Sequence, residues 1–262
     1  MSGILKARPS SYGHWRSVVQ AAFGNGRVRK RRGRALPPRL RGRRPFASVE
    51  AAFAVSFRAA ALLALLTLAF AAPASARTLK LVALGDSLTA GYGVPRGEAF
   101  PDQLQAALRA KGWDVTVVNA GVSGDTAEDG LARYDWAVSP DADALIVELG
   151  ANDMLRGLPP EGTRKTLAAI LDRAKAAHLP TLLAGMRAAP NLGADYDKAF
   201  DAVYPALAQE DGAILYPFFL EGVAGDPKLN QPDGLHPTAA GAAVIVNRIL
   251  PAVEELLRRA KK

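Results

Sequence analysis

Two short segments of this 262-residue chain together contain the parts of an activated serine nucleophile. Ser87 stands in a Gly-Asp-Ser-Leu sequence directly after the apolar, strand-like run 79–84, which places its hydroxyl on a tight turn at a strand end. Far downstream, His236 follows Asp233 by three residues in Asp-Gly-Leu-His-Pro. A serine hydroxyl is a weak nucleophile until a base removes its proton, and a histidine oriented by a carboxylate is a common base. The pattern predicts cleavage of acyl bonds.

Each of these residues also has a plain structural interpretation. Ser87 alone fits a turn serine that caps a helix, and His236 alone fits a histidine in a surface loop. The chain has three histidines, of which His14 lies near the N-terminus and His178 follows a predicted helix. Asp233 is close enough in sequence to reach the Nδ1–H of His236, which fixes the tautomer and leaves Nε2 for the serine. The combination therefore favours His236 as the base.

Two further loops follow predicted strands and contain hydrogen-bond donors. The loop 119–125 includes Gly121, whose backbone N–H can approach a ligand closely because glycine has no side chain. The loop 150–153 includes Asn152, whose carboxamide can donate. Together with the N–H of Ser87, these donors would stabilise a tetrahedral oxyanion. Taken alone, Gly121 also fits a plain turn glycine and Asn152 an ordinary cap or turn residue.

The elements that position these residues alternate between strands and helices. Apolar runs predict strands at 79–84, 115–119, 144–149, 181–184 and 213–216, and periodic segments predict helices at 100–111, 126–136, 163–177, 196–209 and 238–259. The strands are apolar on both faces, which is typical of a parallel sheet covered on both sides. We therefore expect an α/β fold, a three-layer α/β/α sandwich with a central parallel five-stranded sheet, over residues 77–262 as one domain.

The N-terminal part differs sharply in charge from the rest of the chain. Residues 1–77 hold 15 of the 33 Lys and Arg side chains and one of the 25 Asp and Glu side chains, so residues 78–262 carry 18 basic and 24 acidic side chains and a net charge of −6. A nucleic-acid function inferred from the overall charge of +8 would rest on the wrong segment. We therefore predict no nucleic-acid partner.

Residues 51–76 are typical of a secretory signal peptide. Arg58 precedes a mainly apolar run, 59–72, which ends before the small residues Ala74 and Ala76. The run is short for a membrane span of about 20 residues, so we expect export to the periplasm or medium with cleavage after Ala76 and no stable membrane insertion afterwards. The Arg-rich residues 1–50 have too few apolar side chains for a core and predict a basic disordered extension. A start codon downstream of Met1 is the alternative that we favour for them.

The chain contains no cysteine, so disulfides and thiolate metal sites are excluded. Four aspartates near the motifs resemble a site for a hard metal, but they lie on separate loops without a ligand pattern. Asp125 and Asp153 fit better as helix caps. We predict no metal and no cofactor.

The order and spacing of four motifs resemble those of the GDSL or SGNH hydrolase family. The motifs are Gly-Asp-Ser-Leu, the loop glycine, Gly-Ala-Asn-Asp and Asp-Gly-Leu-His-Pro. The resemblance covers residues 79–257 and is closest to the branch of bacterial periplasmic arylesterases, acyl-CoA thioesterases and lysophospholipases. It implies a flavodoxin-like sheet and a Ser-His-Asp triad that works through an acyl-enzyme. The implied site residues are the nucleophile Ser87, the base His236, its orienting carboxylate Asp233, and the oxyanion donors Gly121 and Asn152.

The resemblance implies an exported, monomeric serine esterase whose substrate is a small-molecule acyl ester, thioester or lysophospholipid. The segment after Asn152 is predicted to line the acyl groove through Met154, Leu155, Gly157 and Leu158, although a solvent loop fits it equally well. One alternative is an acetylesterase acting on carbohydrate or another polymer. A second alternative, of another class, is a non-catalytic envelope-binding protein on the same fold.

Overall fold

The structure is a computed structural model that describes residues 77–261. Its strands are β1 Leu79–Gly85, β2 Val115–Gly121, β3 Ala144–Glu148, β4 Thr181–Ala184 and β5 Ile214–Tyr216. Its helices are α1 Ser87–Ala90, α2 Phe100–Ala110, α3 Ala127–Ala132, α4 Tyr134–Ala137, α5 Ala151–Leu155, α6 Pro160–Ala176, α7 Ala194–Asp201, α8 Val203–Asp211 and α9 Ala239–Ala260, with a short 3₁₀ turn at Pro190–Leu192. The predicted signal segment and basic extension lie outside the described residues.

The five strands form one parallel sheet in the order β2-β1-β3-β4-β5. This confirms the predicted five-stranded parallel sheet, and the order is the one found in flavodoxin-like folds. Strand β3 is buried along its whole length, as expected for a central strand with helices on both sides.

The helices form two groups, one on each face of the sheet. Helix α9 packs against α2 and contacts β3, β4 and β5, whereas α6 packs against α3, α7 and α8. Helix α9 presents an apolar stripe to the core, with Ile245, Ile249, Val253 and Leu256 buried at spacings of three and four residues. The three-layer α/β/α arrangement is confirmed. Within residues 77–261, no helix combines the length and apolarity needed to cross a membrane.

Two predicted helices are each split in the structure. The segment 126–136 forms α3 and α4, with Arg133 between them at φ −101° and ψ 6°. The segment 196–209 forms α7 and α8, which meet at Ala202. Pro205 explains the second break, because it has no N–H to continue the hydrogen-bond ladder of α7 and is tolerated only in the first turn of a new helix.

Arg133 holds together the ends of the strands that carry the site. Its guanidinium donates to the carbonyls of Gly85 and Ala120, each at 2.8 Å, and forms an ion pair with Asp125. Arg133 and Asp125 are both buried. A buried pair of this kind fixes the ends of β1 and β2 relative to the loop that follows β2.

We expect Arg133→Met to lower the free energy of unfolding by about 3–5 kcal/mol, because it leaves the buried Asp125 carboxylate without its ion-pair partner and removes one donor from each of two strand-end carbonyls. Arg164→Met is the matched control, since its pair with Glu210 is exposed and such pairs contribute about 0–1 kcal/mol. Urea unfolding of both variants measures the difference. Equal small losses would contradict the structural role of Arg133.

Candidate active site

The sheet brings three polar segments to one edge. In the strand register, Gly85 at the end of β1 pairs with Gly121 at the end of β2 and with Glu148 at the end of β3. Ser87 and Asn152 follow Gly85 and Glu148 within a few residues. Because the carboxyl ends of parallel strands lie side by side, these residues meet at the position where open α/β sheets bind ligands.

Ser87 is the first residue of the single-turn helix α1 and is largely buried. Asp86 caps this helix, with its side chain accepting the N–H of Leu88 at 2.9 Å, and Gly91 ends it in a left-handed conformation at φ 82°. The N–H of a first helical residue has no partner within its own helix. The backbone N–H of Ser87 is therefore available to a ligand.

The predicted serine, histidine and aspartate form a hydrogen-bonded chain. His236 Nε2 lies 2.9 Å from Ser87 Oγ, and His236 Nδ1 lies 2.7 Å from Asp233 Oδ2. The other oxygen of Asp233 accepts the backbone N–H groups of Leu235 and His236 at 2.9 and 3.0 Å. This geometry holds the imidazole with one nitrogen on the carboxylate and the other on the hydroxyl.

The hydrogen bonds from the backbone and ring of His236 and the backbone of Leu235 lower the pKa of Asp233 to about 2. The side chain is exposed to solvent, so its contribution to stability is screened. A carboxylate with a depressed pKa stabilises the fold above its unfolded pKa near 3.8, and the effect is lost as the pH falls through about 2. Asp233 is therefore ionised throughout the neutral range.

Contacts to neighbouring loops fix the position of the histidine loop. The backbone N–H of Gln231 donates to the carbonyl of His236 at 2.7 Å, and the Gln231 side chain donates to the carbonyls of Tyr92 and Pro237 at 2.6 and 3.0 Å. The Tyr92 ring lies 4.6 Å from the imidazole, centroid to centroid. Neither the Gln231 contact nor the Tyr92 contact was predicted from the sequence.

Asn152 lies in the first turn of α5, with its carboxamide turned towards the serine turn. Its Nδ2 atom is 3.1 Å from Asp86 Oδ2 and 2.9 Å from the carbonyl oxygen of Asp125. The carboxamide is thus held between the turn before Ser87 and the loop after β2. The structure therefore brings the Asn152 carboxamide next to the serine turn, and its role as an oxyanion donor stays a prediction.

The structure does not bring Gly121 to this position. Strand β2 extends two residues beyond its predicted end, so Gly121 pairs within the sheet, and its N–H is occupied by Asn119 Oδ1 at 3.0 Å. A Cβ at Gly121 would lie 2.3 Å from the backbone nitrogen of Ala90. The glycine is therefore needed for close packing of α1 on β2, and its N–H is not free for an oxyanion.

Gly124 offers a backbone donor that the sequence analysis missed. It occupies the third position of the turn 122–125 at φ 92°, where glycine is favoured. Its neighbour Asp125 is the residue whose carbonyl accepts from Asn152. Within residues 77–261 the Gly124 N–H meets no acceptor. A second glycine in the loop was the signal in the sequence, but spacing alone did not distinguish it from Gly121.

Of the two aspartates predicted to be helix caps, Asp153 caps a helix and Asp125 does not. Asp125 pairs with Arg133, and Thr126 is the residue that caps α3. Asp153 does accept the N–H of Ala127 at 2.8 Å, so it caps the start of α3 from a different helix. In the part of the chain that the structure describes, no three His, Asp or Glu side chains cluster closely enough to hold a metal ion.

A mainly apolar cavity of about 290 Å³ opens beside Ser87 and His236. Met154 and Leu155 line it, whereas Gly157 and Leu158 do not. Leu158 lies beyond the end of α5 and is 39% exposed. The opposite wall comes from the loops after β4 and β5, which the sequence analysis did not connect with the site. Its residues include Met186, Arg187, Ala188, Phe218 and Leu220.

A sequence profile of the GDSL-like Lipase/Acylhydrolase family matches residues 83–244, a range that includes the serine turn, the Asn152 segment and the histidine loop. The chain belongs to this family. It is therefore an ester-bond hydrolase with an α/β fold.

Named relatives of this GDSL hydrolase agree with that assignment. It is 40% identical to the esterase TesA of Pseudomonas aeruginosa over 185 residues, which is 70% of this chain and 91% of the relative. It is also 40% identical to thioesterase 1/protease 1/lysophospholipase L1 of Escherichia coli K12, over 68% of this chain and 84% of the relative. The crystal structure of AlinE4, an SGNH-hydrolase family esterase, is 46% identical with a TM-score of 0.59, covering 70% and 99% of the two chains.

Proposed function

We propose that this GDSL hydrolase is a serine esterase that cleaves short and medium acyl esters and thioesters through an acyl-enzyme on Ser87. The observation that carries the proposal is the chain of contacts from Asp233 through His236 to Ser87 Oγ, at 2.7 and 2.9 Å, beside an apolar cavity. A hydrogen-bonded base beside a serine hydroxyl is the arrangement that activates this nucleophile.

The reaction follows from this geometry. Ser87 Oγ attacks the acyl carbon while His236 Nε2 takes the hydroxyl proton, and Asp233 stabilises the imidazolium. The tetrahedral intermediate collapses as the imidazolium gives its proton to the leaving alcohol or thiol, which leaves the acyl group on Ser87. A water molecule that loses its proton to His236 then attacks the acyl carbon, and the second collapse returns the proton to Ser87 and releases the acid.

Three donors are proposed for the oxyanion in both steps. They are the N–H of Ser87, the N–H of Gly124 and the carboxamide of Asn152. Gly124 replaces Gly121 in this role because the Gly121 N–H is bonded to Asn119. The two backbone donors are fixed in position and need little reorganisation as the charge develops.

The lining and size of the cavity indicate the acyl group. A volume of about 290 Å³ lies at the lower end of ligand pockets, so it accommodates a limited chain. Burial contributes about 0.8 kcal/mol per CH₂ until the space is filled. With p-nitrophenyl esters from C2 to C16, we expect kcat/KM to rise with length and then level off. A maximum at C2 would favour the acetylesterase alternative, and absence of turnover would favour the envelope-binding protein.

We expect Met154→Ala to lower kcat/KM for the C8 ester by about 5- to 10-fold, because it removes contacts equivalent to one or two buried methylenes. The loss should shrink towards the C2 ester. Leu158→Ala is the matched control, since Leu158 follows the same helix but does not line the cavity. Equal losses in the two variants, or a loss independent of chain length, would contradict the assignment of this cavity to the acyl chain.

Export is proposed from the sequence of residues 51–76, which lie outside the described residues. N-terminal sequencing of the protein from the producing cells should give Arg77 as the first residue, because Ala74 and Ala76 fit the small-residue positions of a cleavage site. Recovery of the Arg-rich N-terminus on the active protein would contradict this. The monomeric state also stays a prediction.

A further inference from the structure

Asp86 connects the serine turn with the oxyanion donor. Its side chain is fully buried, and its two oxygens have different partners. One oxygen accepts the N–H of Leu88 at 2.9 Å and so caps α1, and the other lies 3.1 Å from Asn152 Nδ2. A single rigid carboxylate therefore sets the position of the nucleophile's helix and of the Asn152 carboxamide at the same time.

The Asn152 carboxamide has fewer N–H groups than it would have acceptors once an oxyanion forms. A carboxamide nitrogen has two N–H groups, and in this structure they face Asp86 Oδ2 and the carbonyl of Asp125 at 3.1 and 2.9 Å. An oxyanion would be a third acceptor. The Asp125 carbonyl belongs to a loop that Arg133 and Arg156 fix, so the longer contact, the one to Asp86, is the one that the oxyanion displaces.

We propose that Asp86 is a positioning residue, which holds the Asn152 carboxamide in the resting enzyme and releases one of its N–H groups to the oxyanion. The inference rests on the proposed function and adds to it the group through which Asn152 is oriented. Asp86 acts through Asn152 and does not itself bind the reacting atoms.

The two carboxyl groups beneath the serine turn, Asp86 and Glu148, are both fully buried. Burial raises the pKa of Asp86 to about 6, and burial beside Asp86 raises the pKa of Glu148 well above its ordinary value. Glu148 lies beneath the turn, where it accepts the Thr89 hydroxyl at 2.7 Å and one of its oxygens has no hydrogen-bond partner. The raised pKa favours the neutral form of Glu148, and that form adds no second negative charge beside Asp86.

Two substitutions separate this role from capping. Asp86→Ser keeps an acceptor for the Leu88 N–H, because serine is a good N-cap residue, but its side chain is too short to reach Asn152. In Asp86→Asn the side chain has a single oxygen, which can accept from either Leu88 or Asn152. Its NH₂ group then faces the other of these two donors. Both variants should lower kcat by about 10- to 100-fold with little change in KM, which is the usual scale for a misplaced catalytic donor.

A double-mutant cycle with Asn152→Ala tests the inference. Asn152→Ala alone should lower kcat by about 10²–10³-fold, the cost of one oxyanion donor. Asp86→Ser should then cost less than about 3-fold further in the Asn152→Ala background, because its effect passes through Asn152. The same 10- to 100-fold loss in both backgrounds, or no loss in either, would overturn the inference. Asp129→Asn is the control, because Asp129 is an exposed carboxylate that caps a different helix. If this variant also lost activity, the loss in Asp86→Ser could come from helix capping alone, and the inference would be overturned.

A readout independent of activity separates this inference from the proposed function. The side-chain amide signals of Asn152 are identified by their absence in the ¹⁵N–¹H spectrum of Asn152→Ala. In Asp86→Ser one of these proton signals should move upfield, because a carboxylate acceptor is lost. An unchanged signal would overturn the positioning role, whereas a changed signal with full activity in Asn152→Ala would overturn the oxyanion assignment alone.

Discussion

Ser87→Ala should lower kcat for p-nitrophenyl esters by on the order of 10⁶-fold, since the nucleophile and base of a triad act as one unit and removal of either disables it. The fold should be unaffected, because alanine removes one hydroxyl and leaves the Asp86 cap and the α1 backbone in place. Steady-state kinetics of the purified variant, with the unfolding transition as a check, measures both quantities.

Ser139→Ala is the control for this substitution. Ser139 lies between α4 and β3, and its hydroxyl contacts Asp141 rather than any residue of the site. Its kcat should stay within about twofold of the parent enzyme, as for most surface changes. If Ser87→Ala retained more than a few per cent of the activity, the acyl-enzyme on Ser87 would be excluded as the main route.

His236→Ala should reduce kcat on a similar scale, because Ser87 then has no base. The truncation leaves a space beside Ser87 Oγ, where His236 Nε2 lay at 2.9 Å. Free imidazole added to the assay should therefore raise the rate of His236→Ala and leave Ser87→Ala unchanged.

His178→Asn is the matched control for the histidine. His178 has φ 53°, a conformation that asparagine tolerates, and it lies after α6 at the opposite edge of the sheet. Its substitution should leave kcat unchanged. A large loss in His178→Asn, or a failure of imidazole to act on His236→Ala while the protein stays folded, would contradict the assignment of His236 as the base.

The sequence was sufficient for the sheet and most helices, because their apolar patterns are local. All five strands form near their predicted positions, since each is marked by a short apolar run such as Ala-Leu-Ile-Val at 144–147. The short helices α1 and α5 were not predicted, because four or five residues are too few to show a helical period. The split between α3 and α4 was not predicted either, since Arg133 has its hydrogen-bond partners in distant segments.

The site residues were predictable where only a few residue types can perform the chemistry. They were not predictable where the folded backbone determines which group is free to act. Ser87, His236, Asp233 and Asn152 lie together as expected, whereas the Gly121 N–H is bonded within the protein and we propose Gly124 as the donor instead. Glycine identity does not reveal which N–H is already bonded, and here the Asn119 side chain decides it. The far wall of the cavity, around Arg187 and Phe218, was missed because it comes from later loops that only the folded sheet brings near Ser87.

The most direct test of the central claim is to locate the covalent adduct of a fluorophosphonate ester by mass spectrometry. Its phosphorus forms a stable bond to an activated serine and is tetrahedral like the intermediate. We predict one adduct per chain, on the peptide that contains Ser87, with complete loss in Ser87→Ala and full labelling in Ser139→Ala. An adduct on another residue, or an active enzyme that the probe does not modify, would contradict the account.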